Sequence, residues 1–76
     1  MLRLMEVKLY AALREGRGKS VSVEWREGIT GSAILEILGI PAEAAAICLA
    51  NGKNVDFDTP LSQTDVVSFF SSVGGG

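Results

Sequence analysis

The spacing of apolar residues changes abruptly after Glu27-Gly28, and that change constrains the fold more than any other feature of the chain. Before it, the period is two. Met5, Val7, Leu9 and Ala11 alternate with Leu4, Glu6, Lys8 and Tyr10, which predicts a strand over residues 4–11 with one face in the core. Residues 12–19 carry Arg14, Glu15, Gly16, Arg17 and Gly18 and read as a polar loop. Val21, Val23 and Trp25 then alternate with Ser20, Ser22 and Glu24, so a second strand pairs back on the first as an antiparallel hairpin. After Gly28 the pattern becomes helical. Ile34, Leu35, Ile37 and Leu38 recur at three and four, Thr30 or Ser32 can cap the amino end, and Gly39 followed by Pro41 stops the helix. The predicted helix covers residues 31–38.

Beyond Pro41 a short turn leads to a third strand at residues 47–50. Ile47 and Leu49 are expected in the core and Cys48 on the opposite face. Asn51-Gly52 is a strong hairpin signal, because both residues accept positive φ. Residues 53–55 form the short return strand. Asp58-Thr59-Pro60-Leu61 makes a further turn with Leu61 tucked beneath it. The last strand covers residues 65–70, with Val67 and Phe69 inward. Strands in runs around one helix indicate α+β, a mixed sheet of four to five strands with one main helix on one face. With the first and last strands side by side in the middle, this is the β-grasp, or ubiquitin-like, architecture. The expected core is Val7, Leu9, Val23, Ile34, Leu38, Leu49, Val67 and Phe69. Trp25 is also expected there.

Composition narrows the function. A chain of 76 residues is one domain, expected to occupy residues 1–70 with a tail at 71–76. A net charge of −2 argues against nucleic-acid binding, which wants a basic face. There is no histidine, so Ser-His and Cys-His nucleophile pairs and imidazole metal ligands are excluded. Asp56, Asp58 and Asp65 lack a calcium-loop pattern and read as turn residues, so no metal site is expected. The single cysteine, Cys48, reads as a packing residue rather than a sulfur relay, and it fits a reducing compartment. The longest apolar run, residues 44–50, is too short to cross a bilayer, and the start lacks a signal-peptide pattern. The expectation is a cytoplasmic protein with no membrane partner, and not an enzyme acting alone.

The sequence closes on Gly74-Gly75-Gly76, reached from the last strand through Ser71, Ser72 and Val73. Six residues extend to roughly 20 Å. Without side chains, the glycines can thread a channel too narrow for any Cβ. Phe70 points away from the helix and lies beside this tail. Tyr10 and Cys48 are expected on the same outer face, so Phe70 and Tyr10 are candidate partner-docking residues, with partial burial of Phe70 by loops as the alternative. Arg14 and Arg17 read as a solvated loop, with docking of an acidic partner as the alternative.

Several segments together resemble a known family. Residues 7–15, Val-Lys-Leu-Tyr-Ala-Ala-Leu-Arg-Glu, resemble the opening strand of the small subunit of molybdopterin synthase. Asn51-Gly52-Lys53 and Asp58-Thr59-Pro60-Leu61 resemble that family's hairpin and turn. Asp65-Val66-Val67-Ser68-Phe69-Phe70, ending in Val73-Gly74-Gly75-Gly76, resembles its last strand and tail. The thiamine-pathway sulfur carrier is a close relative with a similar tail.

The resemblance implies a ubiquitin-like sulfur carrier. A ubiquitin-activating-type adenylating enzyme, using ATP and magnesium, would place AMP on the Gly76 carboxylate. A sulfur nucleophile would then displace AMP and leave a thiocarboxylate. The acceptor would be a partner such as the molybdopterin synthase large subunit. Gly76 would carry the chemistry, with Gly74 and Gly75 in the partner's channel. The chain itself would bind no cofactor. Two alternatives share the fold: a protein modifier joined through Gly76 to lysines, and an adaptor domain with an inert tail.

Overall fold

The computed structural model describes residues 2–71. The glycines Gly74, Gly75 and Gly76 lie outside the described residues. Strand β1 spans Leu4–Leu9 and β2 spans Ser20–Glu24. Helix α1 spans Gly31–Leu38, and β3 (Ala45–Ala50), β4 (Lys53–Asn54) and β5 (Val67–Ser71) follow. Two short 3-10 helices, Ala11–Arg14 and Ala42–Ala44, precede β2 and β3. The five-stranded sheet has the order β2-β1-β5-β3-β4. β1 and β5 run parallel at its centre, and the other pairs are antiparallel. This is the β-grasp arrangement.

Local chemistry sets the helix ends. The Thr30 hydroxyl accepts a hydrogen bond from the Ala33 amide at 3.2 Å, so Thr30 rather than Ser32 is the cap. Gly39 takes φ +72, and the amides of Gly39 and Ile40 close onto the carbonyls of Glu36 and Leu35. Arg17 reaches across to the same end. Its Nε and Nη2 each lie 3.4 Å from the Leu38 and Gly39 carbonyls, placing a cation at the negative pole of the helix. Asn51 (φ 54) and Gly52 (φ 84) form the β3–β4 turn as the sequence predicts. The Asn51 side chain does more. Its Oδ1 accepts from the Val66 amide and its Nδ2 donates to Asp65, whose other oxygen accepts from the Ser62 amide. That clasp holds the β5 entry against the hairpin.

The sheet lays one face on α1. Val7, Leu9, Val23, Ile34, Val67 and Phe69 are buried as expected, joined by Met5, Leu13, Ile29, Leu35, Ile40, Ala45, Cys48 and Leu61. Trp25 is half-buried against this cluster, its indole N–H donating to the Leu61 carbonyl at 2.8 Å.

Five expectations are corrected. Ala11 does not continue β1. The strand stops at Leu9, Ala11 sits at φ 55, and the following 3-10 turn buries Leu13 in its place. Cys48 does not lie on the outer face, and Ile47 does not lie in the core. The β3–β5 register slips between Ala45 and Ile47, so Cys48 is 1% exposed and Ile47 40% exposed. A one-residue slip exchanges the faces of a strand, and the uninterrupted apolar run at 44–50 offered no polar residue to mark the parity. Leu49, paired with Ser68, is therefore only half-buried. Leu38 is also half-buried, packed against the core's margin, and Ile37 is 54% exposed.

Candidate functional site

β1 and β5 run in the same direction, so both end at the same edge of the molecule. The Tyr10 amide donates to the Phe69 carbonyl at 3.2 Å, continuing that pairing past the end of β1. Strand alternation then puts Tyr10 and Phe70 on the face away from α1. Their rings stack, with centroids 4.4 Å apart and planes within 3°. Such a contact contributes about 0.5–1.5 kcal/mol beyond area burial. Both residues remain half-buried rather than sealed. The structure thus brings Tyr10 and Phe70 together at the last turn of strand before the tail.

Two residues join them that sequence reasoning placed elsewhere. Ile47 is paired with Phe70 across β3 and β5, and the register slip turns it outward beside the aromatic pair. Arg14 is not a loose loop side chain. Its Nε donates to the Leu9 carbonyl at 2.7 Å, and its guanidinium lies 5.0 Å from the Tyr10 ring centroid. This is cation–π geometry, which fixes one positive charge at the edge of the apolar patch. The basic residue four positions after Tyr10 was the available signal for this contact. Its value depended on the chain reversing through the 3-10 turn at Ala11–Arg14.

Cys48 is the residue the structure removes from this face. It packs beneath the start of α1, where a Cβ on Gly31 would lie 3.1 Å from its Sγ and 3.5 Å from the Phe69 ring. Burial pushes the thiol from its ordinary 9.0 up to about 11. The nucleophile in sulfur exchange is the thiolate, so a buried neutral thiol is a poor relay. Ellman's reagent should leave Cys48 untouched at pH 8 in the folded protein and titrate it on unfolding. Rapid reaction in the native state would contradict the buried placement. The same burial carries a sign for stability. Between about pH 9 and 11 the unfolded chain gives up this proton while the folded chain keeps it. Stability therefore falls as pH rises through that window. Wild type should lose more stability there than Cys48→Ala.

Among the described residues no group of acidic, cysteine or histidine side chains could hold a metal ion, and no helix is long and apolar enough to cross a membrane. What the geometry provides is a small aromatic and aliphatic surface with one fixed guanidinium, at the root of a glycine-ended segment.

The fold recurs in known proteins. The model of the ThiS family matches residues 7–76, from β1 through the three glycines. The crystal structure of SAMP1 from Haloferax volcanii superposes with a TM-score of 0.74 at 23% identity, covering 96% of this chain and 99% of that one. The solution structure of the Haloferax volcanii HVO 2177 protein gives 0.72 at 26% identity, covering 97% of this chain and 89% of that one. A parallel β1–β5 centre, a single capped helix across the sheet and a family match that runs into the terminal glycines all agree, and the chain belongs to the ThiS family of ubiquitin-like sulfur carriers.

Proposed function

We propose that this protein carries sulfur as a thiocarboxylate on Gly76 for cofactor biosynthesis, in the manner of a molybdopterin synthase small subunit. The observation that carries the reading is the family match reaching residue 76, which includes the glycines as well as the folded domain. A carboxylate is a poor electrophile because charge and resonance protect its carbon. Transfer of AMP from ATP, with loss of pyrophosphate, converts it to a mixed anhydride with a good leaving group. A sulfide-level nucleophile then attacks the carbonyl, AMP departs, and the thiocarboxylate remains. A ubiquitin-activating-type enzyme supplies the ATP and magnesium, so this chain is a carrier and not the catalyst. Glycine at 74, 75 and 76 suits that enzyme's channel, since a side chain beside the carbonyl would obstruct both threading and in-line attack. Tyr10, Phe70, Ile47 and Arg14 form the docking surface that orients the tail. The acceptor is the molybdopterin synthase large subunit, and the whole exchange takes place in the cytoplasm.

The test is the intact mass of the protein purified from its own host under conditions that retain thioacids. The expected result is a fraction heavier by the difference between one sulfur and one oxygen, located by fragmentation to Gly76. Ladders of lysine conjugates with no thiocarboxylate fraction would replace the carrier reading with that of a protein modifier.

A further inference from the structure

Among the described residues nothing pairs with the outer side of β2 or of β4, and these two edges differ. β4 is two residues long and contributes Lys53, the usual way of blunting an edge. β2 is five residues long, with no proline and no bulge in its pairing to β1. Its outward hydrogen-bonding groups can be assigned from the ladder. The Leu9 amide donates to the Lys19 carbonyl and the Trp25 amide to the Arg3 carbonyl. The hydrogen-bonded pairs are therefore the odd residues, and Val21 and Val23 turn their backbone groups toward Val7 and Met5. The N–H and C=O of Ser20, Ser22 and Glu24 point away from the sheet, and no strand among the described residues lies on that side.

We propose that β2 pairs antiparallel with β2 of a second copy of this chain, about a two-fold axis through Ser22. The sequence of the strand is self-complementary in that register. Ser22 meets itself, and Ser20 meets Glu24 of the second copy, so every outward group faces another outward group and about six hydrogen bonds form. Ser20, whose hydroxyl donates to Glu6 of its own sheet at 3.2 Å, stands opposite Glu24 of the second copy, and no like charges stand directly opposite one another. On the helix side, Val21 meets Val23 of the second copy at the closer, non-hydrogen-bonded spacing. The exposed Ile37 adds apolar surface there, since it lines an open hollow with Val23, Glu24 and Arg26 beside this edge. A parallel pairing would bring Lys19 against Lys19 and Glu24 against Glu24, so charge also selects the antiparallel arrangement. β2 and β5 are separated by β1, so the dimer leaves the Tyr10–Phe70 surface and the root of the tail uncovered. The inference does not depend on how the tail is used.

An edge of five residues buries less than the roughly 1,000 Å² of a stable interface, so the dimer is weak and forms at high protein concentration. The experiment is a dilution series by NMR and sedimentation velocity. At about millimolar protein, wild type should sediment faster than a monomer, with amide shifts and slowed exchange centred on Ser20, Ser22 and Glu24. Both effects should vanish at micromolar concentration. Ser22→Pro removes an outward donor without touching the β1 ladder, and Ser22→Lys places two like charges at the axis. Each should weaken association by roughly tenfold or more while retaining the wild-type circular dichroism and melting temperature. A wild type that stays monomeric at millimolar concentration overturns the proposal. So do shifts that map away from β2, or folded Ser22 variants that associate as tightly as wild type.

Discussion

Replacing Phe69 by alanine is expected to destabilise the domain by about 3–5 kcal/mol, enough to leave a large unfolded population. Phe69 has no exposed surface and sits on β5 at the centre of the sheet, between Leu9 on β1 and Cys48 on β3. Its ring lies against Gly31 at the start of α1 and stacks 6.2 Å from Phe57. Truncation opens a cavity bounded by both halves of the structure. The β1, β3 and β5 backbones are tied by hydrogen bonds and cannot close over it. Small domains bury a smaller share of their surface and have little reserve. Leu38→Ala provides the contrast. That side chain is half-buried at the margin, so its loss should cost less, about 1–2 kcal/mol of apolar burial. Urea unfolding of both variants measures the difference. An unchanged melting temperature for Phe69→Ala would contradict the core described here.

Deleting Gly75 and Gly76 should have the opposite profile. Neither residue has a side chain to bury, so the melting temperature should stay within a degree or so of wild type. ATP–pyrophosphate exchange with the cognate activating enzyme should fall to background, because the carboxylate would end two residues short of the reacting phosphate. Positional errors of this size remove most of the advantage of a held substrate. Extending the chain past Gly76 should block exchange equally unless a protease restores the end. Phe70→Ala separates docking from chemistry. It should raise the carrier concentration needed for half-maximal exchange while leaving the maximal rate close to wild type. Normal exchange by the truncated protein would eliminate the carrier and modifier readings together and leave only an adaptor.

The two residues that most changed place between sequence and structure are adjacent. Ile47 and Cys48 lie in a run of seven apolar residues, and periodicity carries no parity when both faces are apolar. The β1, β2 and β5 faces were legible because serine, lysine and glutamate interrupt those strands at every second position or close to it. Tyr10 and Phe70 were legible as outer-face residues for the same reason. Arg14 was not, because its partner is set by a local reversal at Ala11, an alanine in a left-handed conformation that its residue type does not favour.

The element order, the helix from Gly31 to Leu38 with its glycine stop and the Asn51-Gly52 turn could be read from local sequence. These depend on residues within a few positions of one another, through caps, turn conformations and spacing. The β3 register, the burial of Cys48, the exposure of Ile47 and the set of Arg14 on Tyr10 emerge only in the folded chain. The first three follow from the pairing of β3 with β5, segments distant in the chain, and the last from the backbone reversal at Ala11. The register that wins is the one that brings Cys48 under Gly31 and Phe69, where the helix approaches too closely for a larger side chain.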